Sequence, residues 1–183
     1  MFTLLVLLVV LLVGCLGVYL LLERKPVAEK VGFALPSSLV GASLVLCEPK
    51  EVWAVTKPFP LHGRPDEVYL RNGVLVPLDT KTRARDVVYP VDVVKLSGYA
   101  AILRHHPAFE GTPVSSTGWI RVVNRSTGRV RHHQVELLTD NELLAIHRRR
   151  SDLLSKKATP RPATNPTYCR GCAQRSRCPS PRA

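Results

Sequence analysis

The feature that most constrains the fold is a pair of β-rich runs separated by a tight-turn dipeptide. Residues 65–76 read PDEVYLRNGVLV, and Asn72-Gly73 lies between the two runs. Asn-Gly favours the positive φ angles of a short hairpin turn, and the second run continues as far as Lys81. This segment therefore predicts an antiparallel hairpin inside the folded part of the chain.

Further elements are predicted on both sides of this hairpin. Ser37 or Ser38 can cap a short helix that runs towards Cys47, and apolar spacing predicts a helix over 91–103. Thr139 is a good N-cap, with Glu142 three residues on, for a helix to about Leu154. A second hairpin is predicted over 119–138, around a turn that contains Gly128. The alternation of helices and hairpins predicts an α/β fold in which helices flank a small mixed central sheet.

The length of 183 residues allows one ordinary domain with an appendage or two. We predict four segments: a transmembrane anchor over 1–22, a linker over 23–36, the folded domain over 37–157, and a basic C-terminal segment with a cysteine cluster over 158–183.

The N-terminal segment predicts membrane anchoring. Residues 2–22 contain no charged side chain, and 21 residues of helix cover about 30 Å, the thickness of one bilayer core. Basic residues follow this run and none precedes it, so the C-terminal side is predicted to be cytoplasmic. The alternative is a lipoprotein cleavage box that ends at Cys15.

Positive charge is concentrated at the other end of the chain. The formal net charge is +12 and the isoelectric point is near 10.0, which suits a polyanion or an anionic membrane surface. Ten basic residues and one acidic residue lie in 148–183. The alternative is a solvated basic tail. Within it, the run 148–150 can either offset a helix dipole or contact phosphates.

Three residues of the first hairpin have the chemistry of a hydrolytic site. Asp79 and Lys81 are two apart on a strand and so project from one face, and hairpin pairing brings Asp66 towards them. Two converging carboxylates favour a cation such as Mg²⁺, and a nearby ammonium can orient water and stabilise charge on a phosphate. The alternative is a turn residue beside an ordinary surface ion pair.

The segments 63–68 (GRPDEV), 74–83 (VLVPLDTKTR) and 95–99 (KLSGY) resemble motifs of the PD-(D/E)xK nuclease superfamily. The chain is most similar to the RecB-like exonucleases, including the CRISPR-associated type that carries an iron–sulfur cluster. This resemblance implies a restriction-endonuclease-like core and metal-dependent hydrolysis of DNA, on single strands or at ends. It implies that Asp66 and Asp79 bind Mg²⁺ or Mn²⁺, that Lys81 is the catalytic lysine, and that Tyr99 contacts DNA or orders the site.

The chain departs from the family pattern at two places. Lys95 stands where the family has Gln, which replaces an amide by a pure donor. The family often has a metal-binding His upstream of the first carboxylate, and His62 is the only His in that stretch. These departures favour an alternative function, a catalytically weakened nuclease-derived module that binds nucleic acid.

Four cysteines outside the apolar segment form a split pattern. Cys169, Cys172 and Cys178 are close together, and Cys47 lies far upstream. Four thiolates can hold a [4Fe–4S] cluster or a zinc ion. The resemblance implies the iron–sulfur cluster, because members of that type have one cysteine before the nuclease motifs and three after them. The remaining alternative is four free thiols.

Overall fold

The computed structural model describes residues 34–47 and 53–161, together with residues 172, 176 and 178. Contacts divide the chain into two units, Met1–Asp140 and Asn141–Ala183. The predicted anchor over 1–22 lies outside the described residues, so it stays a prediction. Within the described ranges, no helix is long and apolar enough to cross a membrane.

Seven strands lie in the described residues: β1 (Ser43–Cys47), β2 (Trp53–Val55), β3 (Leu61–Gly63), β4 (Glu67–Arg71), β5 (Val74–Arg83), β6 (Thr117–Asn124) and β7 (Val130–Glu136). Five of them form one sheet in the order β1-β4-β5-β6-β7, and β2 pairs with β3 separately. Only β5 and β6 are parallel; the other pairs are antiparallel. The predicted mixed central sheet is confirmed.

Two α-helices are described, α1 (Pro90–His105) and α2 (Asp140–Leu154), and both were predicted. Helix α1 lies in the connection between β5 and β6. Parallel neighbours need such a long crossover, which explains why this one pair is parallel. The start of α1 is fixed by Asp92, whose carboxylate accepts hydrogen bonds from the Tyr89 N–H at 2.8 Å and from the Arg83 guanidinium at 3.0 Å.

Both faces of the sheet bear apolar clusters. Leu96, Tyr99 and Ile102 of α1 pack with Ile120 and Val122 of β6 on one face. A second cluster lies on the other face of the sheet. Side chains alternate between the two faces along each strand, and the members of this cluster occupy the alternate positions. Its buried members are Leu39, Ala42, Tyr69 and Leu78.

The predicted hairpin of β4 and β5 is confirmed. Asn72 and Gly73 have φ angles of 50° and 77°, the left-handed conformation that a two-residue hairpin turn needs. Pairing runs from Arg71 with Val74 to Glu67 with Leu78. The end of the hairpin opposite this turn is therefore where Asp66 meets β5.

The helix predicted to run towards Cys47 is wrong. A single 3₁₀ turn, Ser37–Leu39, is followed by Gly41 at φ 81°, and the chain then enters β1. Along β1, Leu44 and Leu46 are half-buried and Val45 is exposed, which is the period of a strand. Pairing with β4 therefore decides the conformation of this segment. Residues 61–63 form the short strand β3.

Candidate active site

Asp66 and Asp79 converge at the open end of the β4–β5 hairpin. Asp66 immediately precedes β4, and its Oδ2 atom accepts a hydrogen bond of 3.0 Å from the backbone N–H of Thr80, the residue after Asp79. Burial and the negative charge of Asp79 raise the pKa of Asp66, although the Thr80 hydrogen bond acts in the opposite direction. The structure thus brings the two predicted carboxylates together.

The carboxylate of Asp79 is fully buried and contacts two ammonium groups. Lys81, on the same face of β5, pairs with Oδ2, and Nζ of Lys95 from α1 lies 3.2 Å from Oδ1. Oδ2 accepts no hydrogen bond within the described residues, so its contact with Lys81 is an ion pair alone. Each oxygen of Asp79 therefore faces a positive charge.

Tyr99 supports the site from the next turn of α1. It lies four residues after Lys95, on the same side of the helix, and the Lys95 ammonium is 5.2 Å from the centre of its ring. Burial opposes the charged form of Lys95, but Tyr99 and Asp79 together raise its pKa. The ring of Tyr99 also packs against Gly63, where an added Cβ would come within 2.8 Å of it. Gly63 is therefore needed for this close packing.

Asp66 and Asp79 fit a divalent cation such as Mg²⁺ or Mn²⁺. Carboxylate oxygens are the preferred ligands of these ions, and a cation between the two groups would relieve the repulsion that raises the pKa of Asp66. In the described part of the chain, no group of three or more His, Cys, Asp or Glu residues could hold a metal. Water and phosphate oxygens would therefore complete the coordination of such an ion.

The charge balance of the site is unusual for a cation site. Two carboxylates face two ammonium groups, Lys81 and Lys95, so their formal charges cancel. A cation that binds Asp79 has to compete with Lys95 for Oδ1. Lys95 is 44% exposed, so its side chain can move into solvent when that contact is lost.

Comparison with known proteins identifies the family of this chain. The family model of the PD-(D/E)XK nuclease superfamily matches residues 20–179. The chain belongs to the PD-(D/E)XK nuclease superfamily. The mixed sheet with its two helices is consistent with the restriction-endonuclease-like fold.

The other comparisons are less informative. No curated protein matches the sequence. Among solved structures, the chain is similar to the protein SSO0001, with 18% sequence identity and a TM-score of 0.46. The match covers 80% of this chain and 66% of that protein, so this chain spans just under two thirds of the length of its structural relative.

A buried polar network lies behind this PD-(D/E)XK site and was missed from the sequence. Arg121 of β6 is fully buried and binds both carboxylate oxygens of Glu67, one of them at 3.1 Å. Its guanidinium also donates to the hydroxyl of Thr80 at 3.1 Å, and the hydroxyl of Tyr69 donates to Glu67. Burial raises the pKa of Tyr69, and the neighbouring Glu67 adds to this effect.

This network braces the two strands that present the carboxylates of Asp66 and Asp79. Glu67 follows Asp66, and Thr80 follows Asp79, so the network holds the neighbour of each carboxylate from the opposite face of the sheet. The sequence contains one signal for it, the single Arg121 inside the apolar strand WIRVV. An arginine at an inward position of a strand needs a buried partner.

Two of the four predicted cluster cysteines have described side chains, Cys172 and Cys178. Cys47 ends β1, and its side chain is outside the description, as is all of Cys169. Cys172 is an exposed free thiol and Cys178 a half-buried one. The cluster stays a prediction. His62, the only candidate for the family histidine, is exposed on β3.

Proposed function

We propose that this protein is a membrane-anchored, metal-dependent DNA nuclease of the RecB-like iron–sulfur type. The observation that supports this function best is the convergence of Asp66, Asp79 and Lys81 at one end of the β4–β5 hairpin. Membership of the superfamily suggests nuclease activity. DNA as the substrate and the RecB-like type are inferred from the motif resemblance.

The roles of the residues follow from their positions. Asp66 and Asp79 would hold Mg²⁺ or Mn²⁺, which would supply Lewis-acid stabilisation of the phosphate that is cleaved. Lys81 is 19% exposed, so its ammonium can reach the phosphate, orient a water molecule and stabilise developing negative charge. Tyr99 positions Lys95 beside Asp79. The Arg121–Glu67 pair holds the strands in register behind the site.

One observation favours a second candidate function, a nucleic-acid-binding module that no longer cleaves. Lys95 supplies Asp79 with a second positive charge from within the protein, at 3.2 Å. If this pair persists when DNA binds, the site has little charge left to attract a metal ion. The protein would then bind nucleic acid through its basic residues without hydrolysing it.

A cleavage assay with the full-length protein separates these two functions. The wild type is incubated with end-labelled single-stranded and duplex DNA in Mg²⁺, Mn²⁺ or EDTA, beside Lys81→Ala and a matched surface control, Arg71→Ala. We expect metal-dependent cleavage that Lys81→Ala abolishes and Arg71→Ala retains, with DNA binding kept in both variants. Metal-dependent cleavage that survives in Lys81→Ala would contradict the assigned site, and binding without cleavage by the wild type would support the module.

The iron–sulfur cluster is proposed on the cysteine pattern and is tested separately. Cys47, Cys169, Cys172 and Cys178 would be its four ligands. Anaerobically purified protein should be brown with broad visible absorption, and Cys47→Ser should remove the colour as completely as Cys172→Ser does. Colourless protein with about one zinc per chain would leave the ligands in place but change the metal. Unchanged metal content in Cys47→Ser would refute the split cluster.

Membrane anchoring is proposed on the apolar run 2–22 and the basic residues that follow it. The protein should fractionate with membranes, and the residues after 23 should be cut by protease only when the cytoplasmic side is accessible. A mature chain that begins at a lipid-modified Cys15 would contradict this topology.

A further inference from the structure

The hairpin of β6 and β7 has an excess of positive charge. It contains Arg121, Arg125, Arg129 and Arg131, and no acidic residue occurs between Thr117 and Val135. Arg121 is committed to the buried network, whereas Arg125, Arg129 and Arg131 are exposed. This concentration of positive charge is separate from the basic C-terminal segment and belongs to the same sheet as the candidate active site.

Strand register places part of this charge in line with the catalytic lysine. Lys81 of β5 pairs with Val122 of β6, and Val122 pairs with Arg131 of β7. Paired residues on neighbouring strands share a face, so Lys81 and Arg131 stand on the same side of the sheet. Two strand spacings separate their Cα atoms, a distance of roughly 10 Å. At this separation the two side chains can contact different phosphates of one nucleic-acid strand.

A pocket of about 310 Å³ lies at this end of the sheet. It is lined by Asp86, Val122, Asn124, Thr127, Arg129 and Arg131. The walls thus offer two guanidinium groups and the hydroxyl of Thr127, which are donors that proteins use for phosphate oxygens, whereas the Asn124 amide already donates to the carbonyl of Ala84.

Asp86, the acidic residue in the pocket wall, does not cancel the positive charge of the pocket. Asp86 is held by His133, whose ring nitrogen lies 2.6 Å from Oδ1, and Nε of Arg131 lies 3.9 Å from Oδ2. Arg131 therefore shares one carboxylate with His133 and stays 52% exposed. The guanidinium of Arg129 adds a second positive charge to the same wall. The pocket keeps an excess of positive charge.

We infer that this pocket binds a backbone phosphate of the nucleic-acid substrate, on the same strand as the bond at Lys81 and close to that bond. The inference rests on the proposed nuclease function for its substrate class, but not on cleavage itself. Arg129 and Arg131 hold the phosphate through charge and hydrogen bonds. The strand then runs across the sheet, from the β6–β7 hairpin to the carboxylates of β4 and β5.

Binding measurements test this site without requiring turnover. Full-length wild type, Arg129→Ala/Arg131→Ala and the matched control Arg71→Ala are titrated into a labelled 12-nucleotide single strand in EDTA over a range of salt concentrations. Loss of both arginine contacts to this phosphate should weaken binding about tenfold and reduce the salt slope by about 0.7 to 1, the value for one phosphate. Arg71→Ala removes the same kind of charge from the far end of the β4–β5 hairpin and should bind like the wild type.

A second variant and a parallel cleavage assay make the outcomes distinct. Arg129→Lys/Arg131→Lys keeps the charges and should retain most of the salt slope, whereas circular dichroism checks that each variant is folded. A folded alanine variant that binds within twofold of the wild type would overturn the site, as would a wild type that binds no DNA. Arginine-dependent binding by a wild type that never cleaves would support the site and refute the nuclease activity.

Discussion

Replacing Lys95 by Gln removes one of the two ammonium groups that face the buried carboxylate of Asp79. The Nζ atom of Lys95 lies 3.2 Å from Oδ1 of Asp79, and this contact has to be given up when a cation binds that oxygen. Gln keeps a hydrogen-bond donor, on a side chain one atom shorter, but has no charge. Lys95→Gln should therefore increase the affinity of the site for Mg²⁺ and Mn²⁺.

The size of the effect follows from the distance and the exposure of Lys95. Because this side chain is 44% exposed, we calculate the interaction energy first with the dielectric constant of water, which gives its smallest value. Unit charges 3.2 Å apart then interact by about 1.3 kcal/mol, which corresponds to roughly a tenfold change in affinity. This is a lower bound, since Asp79 itself is fully buried and the effective dielectric constant there is smaller.

Calorimetric titration measures this change in affinity directly. Mn²⁺ is titrated into the wild type, Lys95→Gln and a control variant, Arg71→Gln. We expect the dissociation constant to fall about tenfold in Lys95→Gln and to stay unchanged in Arg71→Gln. If Lys95→Gln binds Mn²⁺ within twofold of the wild type, Lys95 does not compete for Asp79. Cleavage measured at subsaturating Mn²⁺ should increase in parallel if the site is catalytic.

Two further predictions concern stability. Burial and the charge of Asp79 raise the pKa of Asp66 above its unfolded value, so stability falls as the pH rises from the unfolded to the folded pKa and the cost is complete above the folded pKa. Asp66→Asn should therefore raise the melting temperature by a few degrees at pH 7 in EDTA. This gain should shrink as the pH falls from the folded pKa of Asp66 towards its unfolded pKa. Arg121→Met leaves Glu67 buried without its partner and should lower the free energy of unfolding in urea by about 3–5 kcal/mol. The double variant Arg121→Met/Glu67→Gln should recover part of this loss; no recovery would show that the pair is not the cause.

The local elements of the fold were predictable because each has its signal in neighbouring residues. Asn72-Gly73 determines the first hairpin through its positive φ angles, and the apolar spacing before His105 determines α1. The segment that ends at Cys47 was predicted as a helix because Ser37 or Ser38 can cap one and apolar residues follow. Its pairing with β4 decided in favour of a strand, and β4 lies about twenty residues further along the chain.

The candidate site also has one part that local sequence signals predict and another part that they do not. The alternation of side chains along a strand is enough to place Asp79 and Lys81 on one face, and a hairpin with a known turn brings Asp66 beside them. The sequence by itself therefore determined which three residues converge.

Only the tertiary structure decided what surrounds them. Lys95 reaches Asp79 because the β5–β6 crossover lays α1 on that face of the sheet, and Arg121 meets Glu67 because β6 aligns in parallel with β5. Arg131 comes into line with Lys81 through the register of three strands. Each of these contacts joins residues that are distant in sequence and depends on how whole elements pack, whereas a periodic pattern records only which face of its own element a residue occupies.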